Sequence, residues 1–147
     1  MKDIILALFT GVLVTFFFDF FIFLGVFLHY IQHYEIELYY NILFADNQNF
    51  FIFFAFTLFF GFLVVYIKSV QFKLSVLSAF FLLSLVPLMP TFGQQLGEFL
   101  FLEKEILLQD RRHSYYGDIY YNGREEITFF DYELQRFIKL KKKELLP

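Results

Sequence analysis

The chain has 147 residues, of which 59% are hydrophobic, against roughly 45–50% in a soluble domain. Its formal net charge of −3 gives no indication of nucleic-acid binding. It contains no cysteine, which excludes disulfides, thiolate zinc sites, iron–sulfur clusters and thiol nucleophiles. The composition predicts an α-helical membrane protein in which three transmembrane helices form a bundle and a small α+β tail follows.

The first apolar segment covers residues 4–28 and contains one charged residue, Asp19. A run of this length predicts a transmembrane helix. Ala7, Gly11 and Thr15 precede Asp19 at intervals of four, so all four residues share one helix face. Small residues on one face allow two helices to approach closely, and this face is therefore predicted to contact another helix.

Asp19 has two functional interpretations, because a carboxyl group at membrane depth usually faces a partner helix or a wet cavity. In the first, a donor on another helix pairs with it and fixes the assembly. The available donors within the chain are Thr57, Ser78 and Ser84. In the second, Asp19 carries protons or binds a cation in a conduction pathway.

The connection after the first segment contains His29, His33 and Glu37, which would share one helix face if the helix continued. Three such side chains could bind a divalent metal, and the two histidines could be axial ligands to haem. The alternative is that the histidines lie in the interfacial zone among tyrosines. Asn47 or Asn49 could cap the next helix.

The second and third apolar segments cover residues 50–67 and 72–89. Each carries a small-residue pair four apart, Thr57 with Gly61 and Ser75 with Ala79, although such pairs are common in membrane helices by chance. The short turn between the segments predicts an antiparallel helical hairpin.

Lysine and arginine bias near the segment ends predicts the orientation in the membrane. Lys2 precedes the first segment, and Lys68 and Lys73 lie in the second connection, whereas the first connection, residues 29–49, has neither lysine nor arginine. We therefore expect a multi-pass protein of the bacterial inner membrane with a cytoplasmic N-terminus and an extracytoplasmic tail.

Residues 91–97 are predicted to be a linker, and residues 98–147 a small extramembrane tail. In the tail, Asn122-Gly123 between two aromatic-rich runs predicts a two-residue β-hairpin turn, because both turn positions favour positive φ. This register places Tyr121 opposite Arg124 and Tyr116 opposite Phe129. A third strand is predicted within residues 105–112, and residues 131–143 could form a helix or a lysine-edged strand.

These features predict a non-enzymatic accessory or assembly subunit of a larger bacterial envelope complex. Its partners would be the lipid bilayer and other membrane protein subunits, with a second copy of the chain as the alternative, and no cofactor is expected. The tail is too small for a substrate pocket of several hundred Å³, while its tyrosines are typical of interfaces. Two alternatives remain open: an oligomeric proton- or ion-conducting subunit using Asp19, and a metal- or haem-linked subunit using His29 and His33.

Overall fold

The computed structural model describes residues 2–110 and 113–145. This part of the chain forms five α-helices and one four-stranded sheet. The helices are α1 (Lys2–Val26, continued by a π-helical turn at Phe27–Ile31), α2 (Tyr40–Asn47), α3 (Phe50–Tyr66), α4 (Val70–Leu85, continued by a 3-10 turn at Val86–Leu88) and α5 (Pro90–Phe101). The strands are β1 (Glu103–Gln109), β2 (Ser114–Asn122), β3 (Glu126–Asp131) and β4 (Arg136–Lys141).

Two helical stretches in the described residues are long and apolar enough to cross a membrane, Lys2–Ile31 and Val70–Leu88. A third candidate exists if α2 and α3, which meet at a bend of 86°, count as one broken span. The prediction of several apolar helices followed by a β-containing tail is confirmed at this level.

α1 and α3 run antiparallel and in close contact, since Ala7 lies against Gly61 and Gly11 against Thr57. α4 runs parallel to α1, because Phe81 stacks on Phe17 and, further along both helices, Pro87 lies against Gly25. α3 and α4 are therefore antiparallel, as the short turn between them predicts. The ring of Phe80 on α4 fills the space beside Phe18 and Phe60.

Side chains cap the two helices that follow short turns. Asn49 accepts a hydrogen bond from the Ile52 backbone N–H (3.1 Å), so one of the two predicted caps of α3 is present. Ser69 caps α4 by accepting a hydrogen bond from the Phe72 N–H (3.4 Å). Each cap satisfies a backbone donor that the first helical turn leaves without an intrahelical partner.

The predicted linker at residues 91–97 is wrong, because this segment is part of helix α5. Pro90 occupies the first helical position, where its fixed φ suits the helix. Gly93 and Gly97 are close-packing residues here rather than flexible ones. A Cβ on Gly93 would overlap the Pro87 carbonyl oxygen, and a Cβ on Gly97 would overlap the ring of Tyr30.

The sheet is antiparallel, with strands in the order β1-β2-β3-β4. β1 corresponds to the predicted third strand, of which residues 111 and 112 lie outside the described residues. The segment 131–143, left open between helix and strand, contains β4. This is an edge strand with two lysines, Lys139 and Lys141, a composition that discourages pairing with other chains.

The hairpin lies at the predicted position, but the predicted turn length and strand register are wrong. β2 ends at Asn122 and β3 begins at Glu126, so three residues connect them. Phe129 lies opposite Ile119 rather than Tyr116, and no described glycine has positive φ. The longer loop and a register irregularity between Ile119 and Tyr121 account for the shift of three residues.

The sheet curls so that its two outer strands approach each other at one end. An isolated bridge joins Asp110, just after β1, to Leu145, which follows β4. The concave face encloses a small hydrophobic core around Phe129, which is fully buried, with Ile119, Ile127 and Leu140 beside it. The tail therefore has a core of its own in addition to its contacts with the helices.

Candidate functional site

The most extensive helix contact in the described residues is the α1–α3 seam, which we define as Ala7, Gly11, Thr15, Thr57 and Gly61. A Cβ on Gly11 would overlap the Thr57 carbonyl oxygen, and a Cβ on Gly61 would overlap the Ala7 carbonyl oxygen. All five residues are buried. The small-residue face of α1 is thus covered by α3 of the same chain and offers no surface to another subunit.

Two hydroxyl groups lie in this seam without hydrogen bonds. The side chains of Thr15 and Thr57 are 1% and 2% exposed, and among the described residues neither Oγ1 has a hydrogen-bond partner. Buried polar groups are paired in the large majority of cases. The seam therefore combines close backbone packing with unused hydrogen-bonding capacity.

Asp19 lies one helical turn beyond Thr15 and accepts a hydrogen bond from Gln48 Nε2 (2.7 Å). The predicted donors are not the ones used: Ser84 donates to the Phe81 carbonyl (2.8 Å), Ser78 is exposed, and Thr57 has no partner among the described residues. The reason is the length of α3. Its 17 residues rise only about 25 Å, so the break between α2 and α3 falls at the level of Asp19.

The other predicted small-residue pair, Ser75 and Ala79 on α4, is exposed. Ser78, on the same side of the helix, is exposed as well. In the stretch Val70–Leu88, 11% of the 18-residue apolar segment is buried within the chain. The corresponding share for the stretch Lys2–Ile31 is 28%. The structure therefore covers the small-residue face of α1 and α3 and leaves that of α4 open.

The structure does not bring His29, His33 and Glu37 together. The helix ends at Ile31, a turn with a left-handed residue at Glu35 follows, and Glu37 lies beyond it. His29 Nε2 contacts the Leu88 carbonyl oxygen (2.8 Å), and Glu37 pairs with Lys139 (2.7 Å). Within residues 2–110 and 113–145, no group of three His, Cys, Asp or Glu side chains could hold a metal ion.

The tail is fixed to the helices by a group of side chains that we call the tyrosine hub: Tyr30, Tyr34, Gln94, Glu98 and Tyr120. Tyr30 is fully buried, and its hydroxyl donates to the Tyr120 carbonyl (2.8 Å). Tyr34 donates to Glu98 Oε1 and accepts from Gln94 Nε2, both at 3.1 Å. Burial raises the pKa values of Tyr34 and Tyr120, so both phenols stay neutral in the physiological pH range.

Sequence reasoning missed the tyrosine hub, although one signal was present. Gly93 and Gly97 have the spacing of a close helix contact, the same spacing that marked Gly11 with Thr15 on α1. Assigning this segment to a linker hid the signal. The role of Tyr120 had no comparable signal, because it depends on which strand lies beside α1.

A cavity of about 360 Å³ lies between the connection 36–46 and the sheet. Two ion pairs join its walls, Lys139 with Glu37 and Arg124 with Asp46. The volume falls within the range of ligand pockets. The cavity forms between the tail and the connection rather than inside the tail, so the expectation that the tail alone is too small for a substrate pocket stays a prediction.

Comparisons of the chain with protein-family models, with curated proteins and with solved structures gave no match.

Proposed function

We propose that this chain is a non-enzymatic accessory or assembly subunit of a larger complex in the bacterial inner membrane. The observation that carries the proposal is the open face of α4, on which Ser75, Ser78 and Ala79 are exposed. Helices associate in lipid through small residues and interhelical hydrogen bonds. A helix of another subunit that packed on this face would bury the small residues and give both serine hydroxyls partners.

The tail supports the proposal with a second surface, which we call the aromatic row: Tyr116, Phe130, Tyr132 and Phe137. Neighbouring rings in this row lie 5.1 to 6.3 Å apart. Tyr116 and Phe137 are 44% and 43% exposed. Aromatic side chains are enriched at protein interfaces. Because the tyrosine hub fixes the sheet to α1 and α5, a partner bound to the aromatic row would be held at a defined position relative to the helices.

A photoreactive phenylalanine analogue in place of Leu82, an exposed side chain three residues beyond Ala79 on the same side of α4, tests the open face directly. The matched control carries the same analogue in place of Leu58, an exposed leucine on α3. Irradiation of cells should crosslink a defined second protein to the Leu82 variant and not to the Leu58 variant. Crosslinks to lipid alone in both variants would contradict the proposal.

The proposed orientation has a cytoplasmic N-terminus and an extracytoplasmic tail. Since the chain has no cysteine, single replacements can report on each side. Asn122→Cys lies in the exposed hairpin end, and Lys68→Cys lies in the turn between α3 and α4. An impermeant thiol reagent should label Asn122→Cys in intact spheroplasts and Lys68→Cys only after lysis. The opposite pattern would reverse the orientation.

A second candidate function is an oligomeric proton- or ion-conducting subunit with Asp19 in the pathway. The observation that favours it is the row formed by the Asp19–Gln48 pair and the hydroxyl of Thr15, which has no hydrogen-bond partner among the described residues. Asp19→Asn separates the two functions, because asparagine keeps the size and hydrogen bonding of the side chain but cannot carry a proton. Assembly should survive this exchange, whereas conduction should be lost.

A further inference from the structure

We propose that Asp19, Gln48 and Thr15 bind an alkali metal cation where the chain breaks between α2 and α3. This inference does not depend on the subunit role proposed above. It rests on unpartnered oxygen atoms of two side chains next to Asp19, on the helix break beside it, and on the need to neutralise its carboxyl group.

The first step concerns oxygen atoms without donors. Gln48 Nε2 donates to Asp19 Oδ2, while Oε1 of the same amide is buried and, among the described residues, has no hydrogen-bond partner. Thr15 is 1% exposed, and its Oγ1 is equally without a partner. Thr15 and Asp19 are four residues apart on α1, which places their Cβ atoms roughly 5–6 Å from each other. Thr15 and Asp19 are thus neighbours on one face of α1, and Gln48 contacts Asp19, so a carboxyl group, an amide oxygen and a hydroxyl belong to three adjacent side chains.

The second step concerns the backbone. α2 ends at Asn47 and α3 begins at Phe50, with a bend of 86° between them. The last carbonyl groups of α2 have no intrahelical donors and carry the negative end of the helix dipole. Discontinuous helices in membrane proteins coordinate alkali cations with such half-helix C-terminal ends and unwound carbonyls. Gln48, the residue that contacts Asp19, lies in this break.

The third step concerns charge. A carboxyl group in an apolar environment must be neutralised by a proton or by a cation, and the described residues place no lysine or arginine in an ion pair with Asp19. A monovalent cation would make the site neutral, whereas a divalent ion would leave an uncompensated positive charge. All the proposed ligands are oxygen atoms, which suit a hard cation. The class of ligand is therefore an alkali metal ion, for which Na⁺ and K⁺ are the probes.

The test is the melting temperature of the detergent-solubilised full chain in NaCl, KCl and N-methylglucamine chloride at equal ionic strength and neutral pH. Na⁺ or K⁺ should raise Tm by roughly 3 °C or more over the bulky organic cation. The increase should disappear in Asp19→Asn and shrink in Thr15→Val. Thr57→Val is the matched control, since it removes an equally buried hydroxyl near Gly11, two helical turns from Asp19, and should leave the increase unchanged.

Equal Tm values in all three salts would overturn the proposal, because non-specific screening does not distinguish the cations. It would also be overturned if Asp19→Asn kept the alkali-specific increase, or if Thr57→Val lost it together with Thr15→Val. Should Asp19→Asn fail to fold, retention of radioactive sodium by the wild type, Thr15→Val and Thr57→Val decides the question. Binding that is weaker in Thr15→Val alone supports the site, and equal binding in all three proteins refutes it.

Discussion

At the scale of single residues, the α1–α3 seam depends on glycines that leave no room for a Cβ atom beside the opposite backbone. A Cβ on Gly11 would overlap the Thr57 carbonyl oxygen, which is part of a helix and cannot move alone. Gly11→Ala should therefore lower the free energy of unfolding by about 1–3 kcal/mol, the range for overpacked sites. Unfolding in mixed detergent micelles measures this loss. Val12→Ala, on the exposed side of α1, should change it by no more than about 0.5 kcal/mol.

Tyr30 holds the tail through one hydroxyl group in a fully buried position. Tyr30→Phe keeps the ring but leaves the Tyr120 carbonyl without its donor. Removing one partner of a buried hydrogen bond is expected to cost about 1–3 kcal/mol. The same unfolding measurement checks this, with Tyr39→Phe as the control because Tyr39 is 77% exposed. Equal stability of the two variants would show that this hydrogen bond does not hold the tail.

At the scale of elements, α5 connects α1 to the sheet through Gly97, which lies against the ring of Tyr30. Gly97→Val should push α5 away from Tyr30 and loosen the sheet. Amide exchange in β2 should become faster, while exchange in α3, which packs mainly against α1, should not change. Gln95→Val on the exposed side of the same helix is the control. Faster exchange in both variants would mean that a β-branched side chain anywhere in α5, and not the contact with Tyr30, is the cause.

The sequence was sufficient to predict the elements whose signals are local. Such signals are the long apolar runs, the cap at Asn49 and the turn residues Asn122-Gly123. Helices α1, α3 and α4 and strands β2 and β3 occur where these signals place them. The hairpin register was wrong because the loop is longer than the two-residue turn that Asn122-Gly123 indicates, so that Asn122 pairs with Ile127. The irregularity between Ile119 and Tyr121, which leaves no mark in a pattern with a period of two, then shifts the pairing back by one residue. α5 was missed because two glycines can signal flexibility or close packing, and only the neighbouring helix decides between them.

The candidate site was less predictable than the fold. Asp19 stood out as a lone carboxyl group in an apolar run, but its partner Gln48 lies in a short turn whose position depends on the length of α3. The interpretation of His29, His33 and Glu37 as one face failed because the helix ends before Glu37. Both outcomes depend on where a helix stops, and helix ends are the least certain feature to infer from one sequence.

At the scale of the whole molecule, ion pairs tie the first connection to the sheet. Lys139 lowers the pKa of Glu37 below its ordinary value of 4.5 through a hydrogen bond and its charge. Because the folded-state pKa lies below the unfolded one, the pair stabilises the fold above about pH 4.5 and loses this effect as the pH falls through the lowered value.

The Tm difference between wild type and Glu37→Gln reports on this pair. Wild type should be more stable at neutral pH, and the difference should vanish in acid below the lowered pKa. Glu125→Gln is the control, since Glu125 is exposed and makes no ion pair among the described residues. A difference that grew on acidification would contradict the assigned role of the pair.

The mass and composition of the natively expressed protein, after extraction in a mild detergent, test the proposed subunit role most directly. The open face of α4 and the aromatic row predict a particle several times heavier than this 17.8 kDa chain. It should contain defined membrane proteins in fixed ratio, and Ala79→Phe should release them while Ala55→Phe should not. A particle made of this chain alone would contradict the account, and an oligomer of this chain would favour conduction through Asp19.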